Sequence, residues 1–421
     1  MKNSGVEWIG EIPDEWEVKK LKYICDPLAS GGTPDSNNDQ YYCENGTNWV
    51  AINDMSLVDY VENTAKHITN LAINEKKLKI YPKGTIIYSI YATLGHVAEL
   101  SKPACINQAL LALSIKDKSF NKSYFKYSLN AMREYVLAFS SGNTQFNLNA
   151  QKVRNFTLLT PSFETQQRIA SYLDKKCSKI EETIQKQQQV IEKLKAYKQS
   201  LISEAVIGKI KIQNGIPDFK YCNLGFIAEF KNGLNYNASD FGTEVKFLGV
   251  GDFQNYLVLN DESMFSNIIT DTEIEDDYYL KNGDIIFVRS NGSKELVGRA
   301  IMVDNIDFKV TYSGFCIRLR NKEPKKINSK FLLYFFRSDY FRNELQRLSQ
   351  GSNIANINQD LLSHIKIPLV DIRFQESVVD FLNKKCTAID TTIEQKQTLI
   401  EKLTEYKKSL IYECVTGKKE I

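Results

Sequence analysis

A helical segment that occurs twice constrains this chain more than any other feature. Leu173 to Lys209 (LDKKCSKIEETIQKQQQVIEKLKAYKQSLISEAVIGK) returns as Leu382 to Lys418 (LNKKCTAIDTTIEQKQTLIEKLTEYKKSLIYECVTGK), with 21 of 37 positions identical, no gap and an offset of 209 residues. That period is several times longer than the repeats that stack into solenoids or propellers. The chain is therefore a duplicated two-part unit: variable domain, shared helix, variable domain, shared helix. The order of features upstream agrees. GGTPDS from Gly31 answers NGLNYN from Asn232, WVAINDM from Trp49 answers FLGVGDF from Phe247, and YPKGTIIYS from Tyr81 answers LKNGDIIFV from Leu280. Domains that diverge beside helices that stay alike are expected when the domains read different things and the helices do one common job.

The shared segment has the spacing of a coiled-coil seam. Leu173, Cys177, Ile180, Ile184, Gln187, Ile191, Leu194, Lys198, Leu201 and Ala205 step by four and three, and Leu382, Cys386, Ile389, Ile393, Lys396, Ile400, Leu403, Lys407, Leu410 and Cys414 repeat the pattern. Pro161 and Pro368 stand before the helices, and Gly208 and Gly417 stand at their ends. Each helix is expected to run about 40 residues, or about 60 Å. A helix that long with one apolar stripe needs cover, and two copies in one chain can cover each other. Antiparallel pairing, with the domains at opposite ends of a rod and a pseudo-twofold axis between the halves, is the economical arrangement. It brings the polar seam residues Gln187 and Lys396 within about a turn of one another, where a polar pair fixes register at some cost in stability.

At 421 residues, with 43% hydrophobic and 25% charged, the chain has the composition of an ordinary globular protein with room for two cores. No apolar run is long enough to span a bilayer, and MKNSGVEWIGEIPDEW lacks the apolar stretch of a signal peptide, so a cytoplasmic location is expected. The eight cysteines are scattered without a CxxC pair and there are only three histidines, which indicates neither a disulfide framework nor a zinc site. The net charge of +3 favours a polyanionic partner only weakly. Acidic residues crowd Asp271 to Asp277, whereas Lys309, Arg318, Arg320, Lys322, Lys325, Lys326, Lys330, Arg337, Arg342 and Arg347 make the end of the second domain basic, which a phosphate-facing surface would explain.

Within the domains, Thr85 to Ser89 and Asp284 to Val288 read as buried strands, with further strands at Trp49 to Asn53, Leu110 to Ile115, Lys246 to Val250 and Phe315 to Leu319. Ser123 to Leu137 and Ser329 to Leu348 read as aromatic-rich amphipathic helices whose rings belong to the core. After the paired strands come unlike loops: Ile90 to Leu94 is short, whereas Arg289 to Val297 is longer, polar and basic. Loops on a rigid scaffold are where recognition is placed.

The whole chain resembles the DNA-specificity subunit of type I restriction-modification systems. The resemblance is carried by WIGEIPDEW at Trp8 to Trp16, the KGTII and NGDII strands, the glycine-led SGNTQFNLN and QGSNIANIN segments, and the proline-then-helix blocks ending EAVIGK and ECVTGK. It implies an α+β protein with two homologous α/β target-recognition domains separated by two conserved helices in an antiparallel coiled coil. The expected divisions are 1–159 for the first reader, 160–212 for the central helical spacer, 213–367 for the second reader and 368–421 for the distal helix. Each reader would take one half of a bipartite site on double-stranded DNA, the halves about one helical turn or ~34 Å apart. The helices would dock two methyltransferase subunits, and restriction subunits would join through the complex. No catalytic centre, metal or cofactor is expected in this subunit; S-adenosylmethionine, ATP and Mg²⁺ would belong to its partners.

Candidate DNA contacts are Gly31, Gly32, Thr33, Ser89, Tyr91, Thr93 and Asn143 in the first domain. In the second they are Lys231, Asn232, Arg289, Ser290, Asn291, Lys294 and Asn353. Helix pairing and partner docking fall to Leu173, Ile180, Ile184, Gln187, Ile191, Leu194 and Leu201, and to Leu382, Ile389, Ile393, Lys396, Ile400, Leu403 and Leu410. An active nuclease or methyltransferase is the alternative. Pro217, Asp218, Glu244 and Lys246 have the letters of a PD-ExK centre, but Pro217-Asp218 repeats Pro13-Asp14, where no suitably spaced ExK follows. The glycine-rich Phe247 to Gly251 has no catalytic tetrapeptide after it.

Overall fold

The computed structural model describes residues 1–56, 58–141, 148–212, 219–235, 242–253, 256–271, 273–290, 296–348 and 356–421. It divides into two compact units, 1–186 with 398–421 and 187–397. Each unit thus contains one variable domain and a stretch of both long helices.

In the first unit the strands of the two larger sheets are β1 (Ala29–Ser30), β2 (Tyr42–Cys43), β3 (Thr47–Val50), β4 (Tyr60–Val61), β5 (Lys66–Ile68), β6 (Ile86–Ser89), β7 (Val97–Leu100), β8 (Ala104–Ile106) and β9 (Leu110–Leu113). They form a five-stranded sheet in the order β1-β9-β6-β7-β4 and a four-stranded sheet in the order β8-β3-β5-β2. The longer helices are α1 (Lys122–Ala131), α2 (Arg133–Ser141) and α3 (Phe163–Val206). β6 and β9 are buried on both faces and read as continuous apolar runs, the signature of a central strand.

The second unit repeats the plan with β10 (Ala228–Asn232), β11 (Thr243–Leu248), β12 (Val258–Leu259), β13 (Ser266–Thr270), β14 (Ile285–Val288), β15 (Ala300–Val303), β16 (Val310–Tyr312) and β17 (Cys316–Asn321). Its five-stranded sheet runs β10-β17-β14-β15-β12 beside a three-stranded sheet β13-β11-β16. The position of each strand in this larger sheet matches that of its counterpart in the first unit. The pairing senses match too, with β7 parallel to β4 and β15 parallel to β12, β8 parallel to β3 and β16 parallel to β11. The longer helices are α4 (Ser329–Phe336), α5 (Asp339–Leu348) and α6 (Ile372–Val415).

Three expectations need correction. The strand expected over Trp49 to Asn53 stops at Val50, because Asp54 turns back to accept a hydrogen bond from the Ala51 backbone N–H (2.8 Å) and starts a helical turn. Asp252 does the same for Gly249 (2.7 Å), ending β11 two residues before the expected Val250 and showing the glycines of Phe247 to Gly251 to be a strand end and turn. The two aromatic helices are each broken in two. The Ser338 hydroxyl donates to Phe335 O (2.6 Å) and accepts from Phe341 N (3.3 Å), closing α4 and opening α5. The aromatic rings themselves are core, with Tyr124, Phe125, Phe331 and Phe335 fully buried.

The long helices each run 44 residues and pair antiparallel within each unit. In the first, Lys407 Nζ donates to Glu181 Oε1; in the second, Lys198 bonds Asp390 (2.6 Å) and Lys396 donates to Gln187 Oε1 (2.9 Å). The seam polar pair therefore satisfies itself. Leu173, Ile180 and Leu410 lie in the first unit's core and Leu201, Leu382 and Ile389 in the second's, joined by the partly buried Ile184 and Leu403, and Leu194 and Ile393, respectively. Ile191 and Ile400 are buried as well. Gly208 and Gly417 end their helices at φ +73° and +72°, the left-handed conformation that favours glycine at this position. No helix among the described residues is long and apolar enough to cross a membrane.

Candidate nucleic-acid interface

At one edge of each larger sheet a glycine lies against a turn, and the two units build this place with the same backbone hydrogen bonds. In the first, Gly31 N donates to Leu110 O (3.3 Å), Gly32 N to Ile106 O (3.0 Å), Asn107 N to Val50 O (3.0 Å) and Ile90 N to Ala109 O (2.9 Å). In the second, Gly233 N donates to Cys316 O (3.1 Å), Leu234 N to Tyr312 O (2.9 Å), Ser313 N to Leu248 O (3.0 Å) and Arg289 N to Phe315 O (2.7 Å). The glycine is required: a Cβ on Gly31 would lie 1.7 Å from Ile106 O, and one on Gly233 would lie 2.2 Å from Ser313 O. The turns 107–110 and 313–316 are thus equivalent and their backbones are pinned from several sides.

Around this frame the candidate contacts fall into distinct groups. Thr33 donates to the exposed Gln108 Oε1, so Gly31, Gly32 and Thr33 do converge on one turn. Ser89 does not face outward. It is fully buried; its hydroxyl donates to Tyr91 O (2.8 Å) and accepts from Thr93 Oγ1 (3.3 Å), so Ser89 and Thr93 hold the loop 90–95 together. That loop places Ala92 at φ +55°, a strained position for a residue with a side chain, and leaves Tyr91 46% exposed.

In the second unit, Arg289 reaches the same turn as its backbone does, with Nη1 donating to Gly314 O (3.4 Å). Ser290 bridges Asn356, and Asn232 ends β10 beside the glycine. Lys231 is not a free cation. Its ammonium is bonded to Asp277 (2.5 Å) and lies 3.8 Å above the centre of the Tyr278 ring, which holds the Asp277 carboxyl below its ordinary range, with the nearby Arg318 adding to the effect. Asn143, Asn291, Lys294 and Asn353 lie outside the described residues.

Much of the basic run at the end of the second domain is paired, part of it inside the fold and part at the surface. Arg318 is fully buried between Asp277 and Glu229, and Arg320 is paired with the buried Asp284 (2.7 Å). Lys326, Lys330 and Arg347 pair with Glu323, Asp304 and Glu344. Arg337 and Arg342 donate to the carbonyls of Tyr256 (3.4 Å) and Val297 (2.6 Å). Arg318 is therefore not available to phosphates, whereas Lys326, Lys330 and Arg347 are held only by exposed ion pairs. In the letters of the nuclease motif, Lys246 is ion-paired with Glu262 (3.3 Å), Glu244 stands exposed on β11, and Pro217 and Asp218 lie outside the described residues.

Two residues that the sequence reading passed over stand out at the turns. Gln108 is exposed, and Phe315 is 61% exposed between buried neighbours. The only signal in the sequence was indirect: each follows a short buried strand and precedes the next, in NQAL and SGFC. Apart from the turns, a cleft of about 670 Å³ opens in the first unit where Tyr127, Asp174, Lys407 and Tyr412 line the space between α1, α2 and the helix pair. At the equivalent place in the second unit, Gln199 Nε2 bonds Arg337 O and Asp339 (both 2.8 Å).

The family model "Type I restriction modification DNA specificity domain" matches residues 13–193 and again 217–405. The MjaIX specificity subunit of a type I restriction enzyme from Methanocaldococcus jannaschii is 30% identical over 282 residues, an alignment covering 61% of this chain and 65% of that protein, just under two thirds of its length. The StySPI specificity subunit from Salmonella potsdam is 25% identical over 438 residues, covering 97% of this chain and 90% of that protein. Among solved structures, a chain from "Structural basis underlying complex assembly and conformational transition of the type I R-M system" superimposes with a TM-score of 0.73 over 97% of this chain and 100% of its own. The HsdS subunit from Thermoanaerobacter tengcongensis does so with a TM-score of 0.52 over 97% and 98%. Both are 14% identical, a likeness of fold. With two matches that together take in most of its length, and with two units of one sheet plan, the chain belongs to the family of type I restriction modification DNA specificity domains.

Proposed function

We propose that the chain is the non-catalytic, sequence-specific DNA-binding subunit of a type I restriction-modification complex. It reads a bipartite duplex site, one half with each unit, and assembles the methyltransferase and restriction subunits that act on that DNA in the cytoplasm. The observation that carries this reading is the pairing of sameness and difference. The two units share a sheet plan and a set of backbone hydrogen bonds around one turn, yet present unlike side chains there, while the helices beside them are 21-of-37 identical. Unlike surfaces on like frames suit two readers of unlike sequences. Like helices suit two copies of one partner, which assigns two methyltransferase subunits to the long helices. There Tyr197 and Tyr406, 209 residues apart, are both about half exposed, at 55% and 52%. Phosphate contacts position each unit and turn side chains reach base edges. S-adenosylmethionine, ATP and Mg²⁺ are bound by the partners.

The test is DNA selection from a randomised duplex pool by the chain assembled with its methyltransferase subunits, followed by binding at increasing salt. A bipartite motif with a fixed gap and salt-dependent affinity is expected. Binding without sequence preference would overturn the reading. The purified chain alone is expected neither to methylate nor to cleave DNA with any of these cofactors, and Glu244→Ala is expected to leave the complex active.

A further inference from the structure

The two pinned turns, 107–110 and 313–316, differ in what they expose. In the first the second residue of the turn, Gln108, is exposed and the third, Ala109, is buried. In the second the second residue is Gly314, which has no side chain to present and lies against Asn235, and exposure passes to the third, Phe315. A 61% exposed phenylalanine on a backbone held by hydrogen bonds on both sides has no aromatic partner among the described residues, and the Arg289 guanidinium lies against the same turn at Gly314 O. Gln108 is oriented: its Oε1 accepts from the Thr33 hydroxyl, which leaves one lone pair of that oxygen and both amide hydrogens to face outward.

We infer that these equivalent turns are the base-reading elements of the two units, with Gln108 the specificity-determining residue of one half-site and Phe315 that of the other. The inference rests on the DNA-recognition reading above and assigns its chemistry. A primary amide presents one acceptor and one donor side by side, the match to adenine N6–H and N7 in the major groove. Thr33 then acts as a positioning residue that holds the amide against the turn. A phenyl ring flanked by a guanidinium offers an apolar contact for the thymine C5-methyl while the cation serves a neighbouring phosphate or guanine. Docking of a shared protein partner would call for like chemistry in the two units, as the helices have. The turns diverge instead, amide in one and aromatic in the other, which favours two unlike base sequences over two copies of one protein.

The experiment is selection from a randomised duplex pool by the chain assembled with its methyltransferase subunits, wild type beside Gln108→Ala, Phe315→Ala, Phe315→Met and Thr33→Val. Gln108→Ala is expected to lower adenine preference by about tenfold or more at one position of one half-site and leave the other half intact. Phe315→Ala is expected to relax a thymine position in the opposite half, and Phe315→Met, which keeps an apolar contact, to retain most of that preference. Thr33→Val, which frees the Gln108 amide, is expected to weaken the adenine preference at that same position by less than Gln108→Ala does and to leave the other half intact. If the wild type selects a bipartite motif and both alanine variants keep every position at full strength, the turns do not read bases. Uniformly weaker binding with base preferences intact would make them phosphate contacts and overturn the assignment. Loss of the methyltransferase subunits from Phe315→Ala in gel filtration would make the turn a protein-docking site, overturning it as well. A wild type that selects no motif would sink the DNA-recognition reading itself, and this assignment with it.

Discussion

Arg318 shows how one residue can separate two otherwise parallel units. It is fully buried on β17 opposite Ile286, the place taken in the first unit by Ala112 opposite Ile87. Its guanidinium donates to Asp277 O (2.5 Å) and to Glu229 (3.3 Å), so the charge is met by acceptors that themselves reach solvent. Removing a buried cation usually costs about 3 kcal/mol or more because its counter-charge is stranded. Here the carboxylates can rehydrate and the loss is dominated by the space left behind. Arg318→Ala is expected to destabilise the second unit by about 2–4 kcal/mol, and Arg318→Met, which refills the volume, to recover most of it. Denaturant unfolding followed by a probe in the second unit measures both. In the first unit, Asp117 is held down to about 2 by hydrogen bonds from Lys19 (2.5 Å) and Ser119. A carboxyl whose pKa is depressed by folding stabilises the fold above its unfolded value of about 3.9, and that contribution is lost as pH falls toward 2. Asp117→Asn is therefore expected to lower the urea midpoint at pH 6 and to lower it progressively less as the pH falls from about 4 toward 2. An equal deficit across that range would count against the linkage.

At the scale of elements, the helices were legible and the turns were not, for physical reasons. A seam that repeats every 3.5 residues is written in the sequence itself, so α3 and α6, the burial of Leu173 and Leu382 and the meeting of Gln187 with Lys396 could all be anticipated. The breaks at Met132 and Ser338 could not, because aromatic residues continue at helical spacing across both, and a serine hydroxyl decides where α4 ends. The turn contact between Thr33 and Gln108 joins residues 75 apart, which no local pattern announces. Likewise Ser89 reads as polar and available until β6 is seen to bury it. What holds the helix pair is the seam and not its ion pairs. Lys198 and Asp390 are both partly exposed, at 30% and 49%, which screens the attraction. A double-mutant cycle with Lys198→Met and Asp390→Asn is expected to give a coupling of about 0.5 kcal/mol that shrinks with salt. Leu382→Ala, in the buried seam, is expected to cost about 3 kcal/mol. A coupling as large as the cavity cost would reverse that ranking.

For the whole molecule, the division of labour follows from how each core is assembled. The second unit's core joins Leu224, Phe287, Ile317 and Phe331 of the variable domain to Leu201, Val378 and Leu382 of the helices, and the first unit's joins Leu111, Tyr124 and Leu158 to Leu173, Leu410 and Cys414. A variable domain therefore needs a helix face of the right shape beneath it, and the near-identity of the two helices supplies that face in either half. Such a design lets one domain be replaced without disturbing the other, because the contacts that a new domain must satisfy are those the helix ends beneath it already make. Exchanging residues Gly215 to Ile365 for the equivalent domain of a relative is expected to change one half of the DNA target, the half assigned to the turn carrying Phe315. The other half, assigned to Gln108, and the number of base pairs between them should stay as they were, since neither the first unit's turn nor either helix is altered. Mapping methylated bases in a genome that carries the hybrid subunit with its methyltransferase reads all three quantities at once. If both halves changed, the units would not read independently; if the gap changed with the helices intact, the spacing would be set by the domains and not by the helices between them.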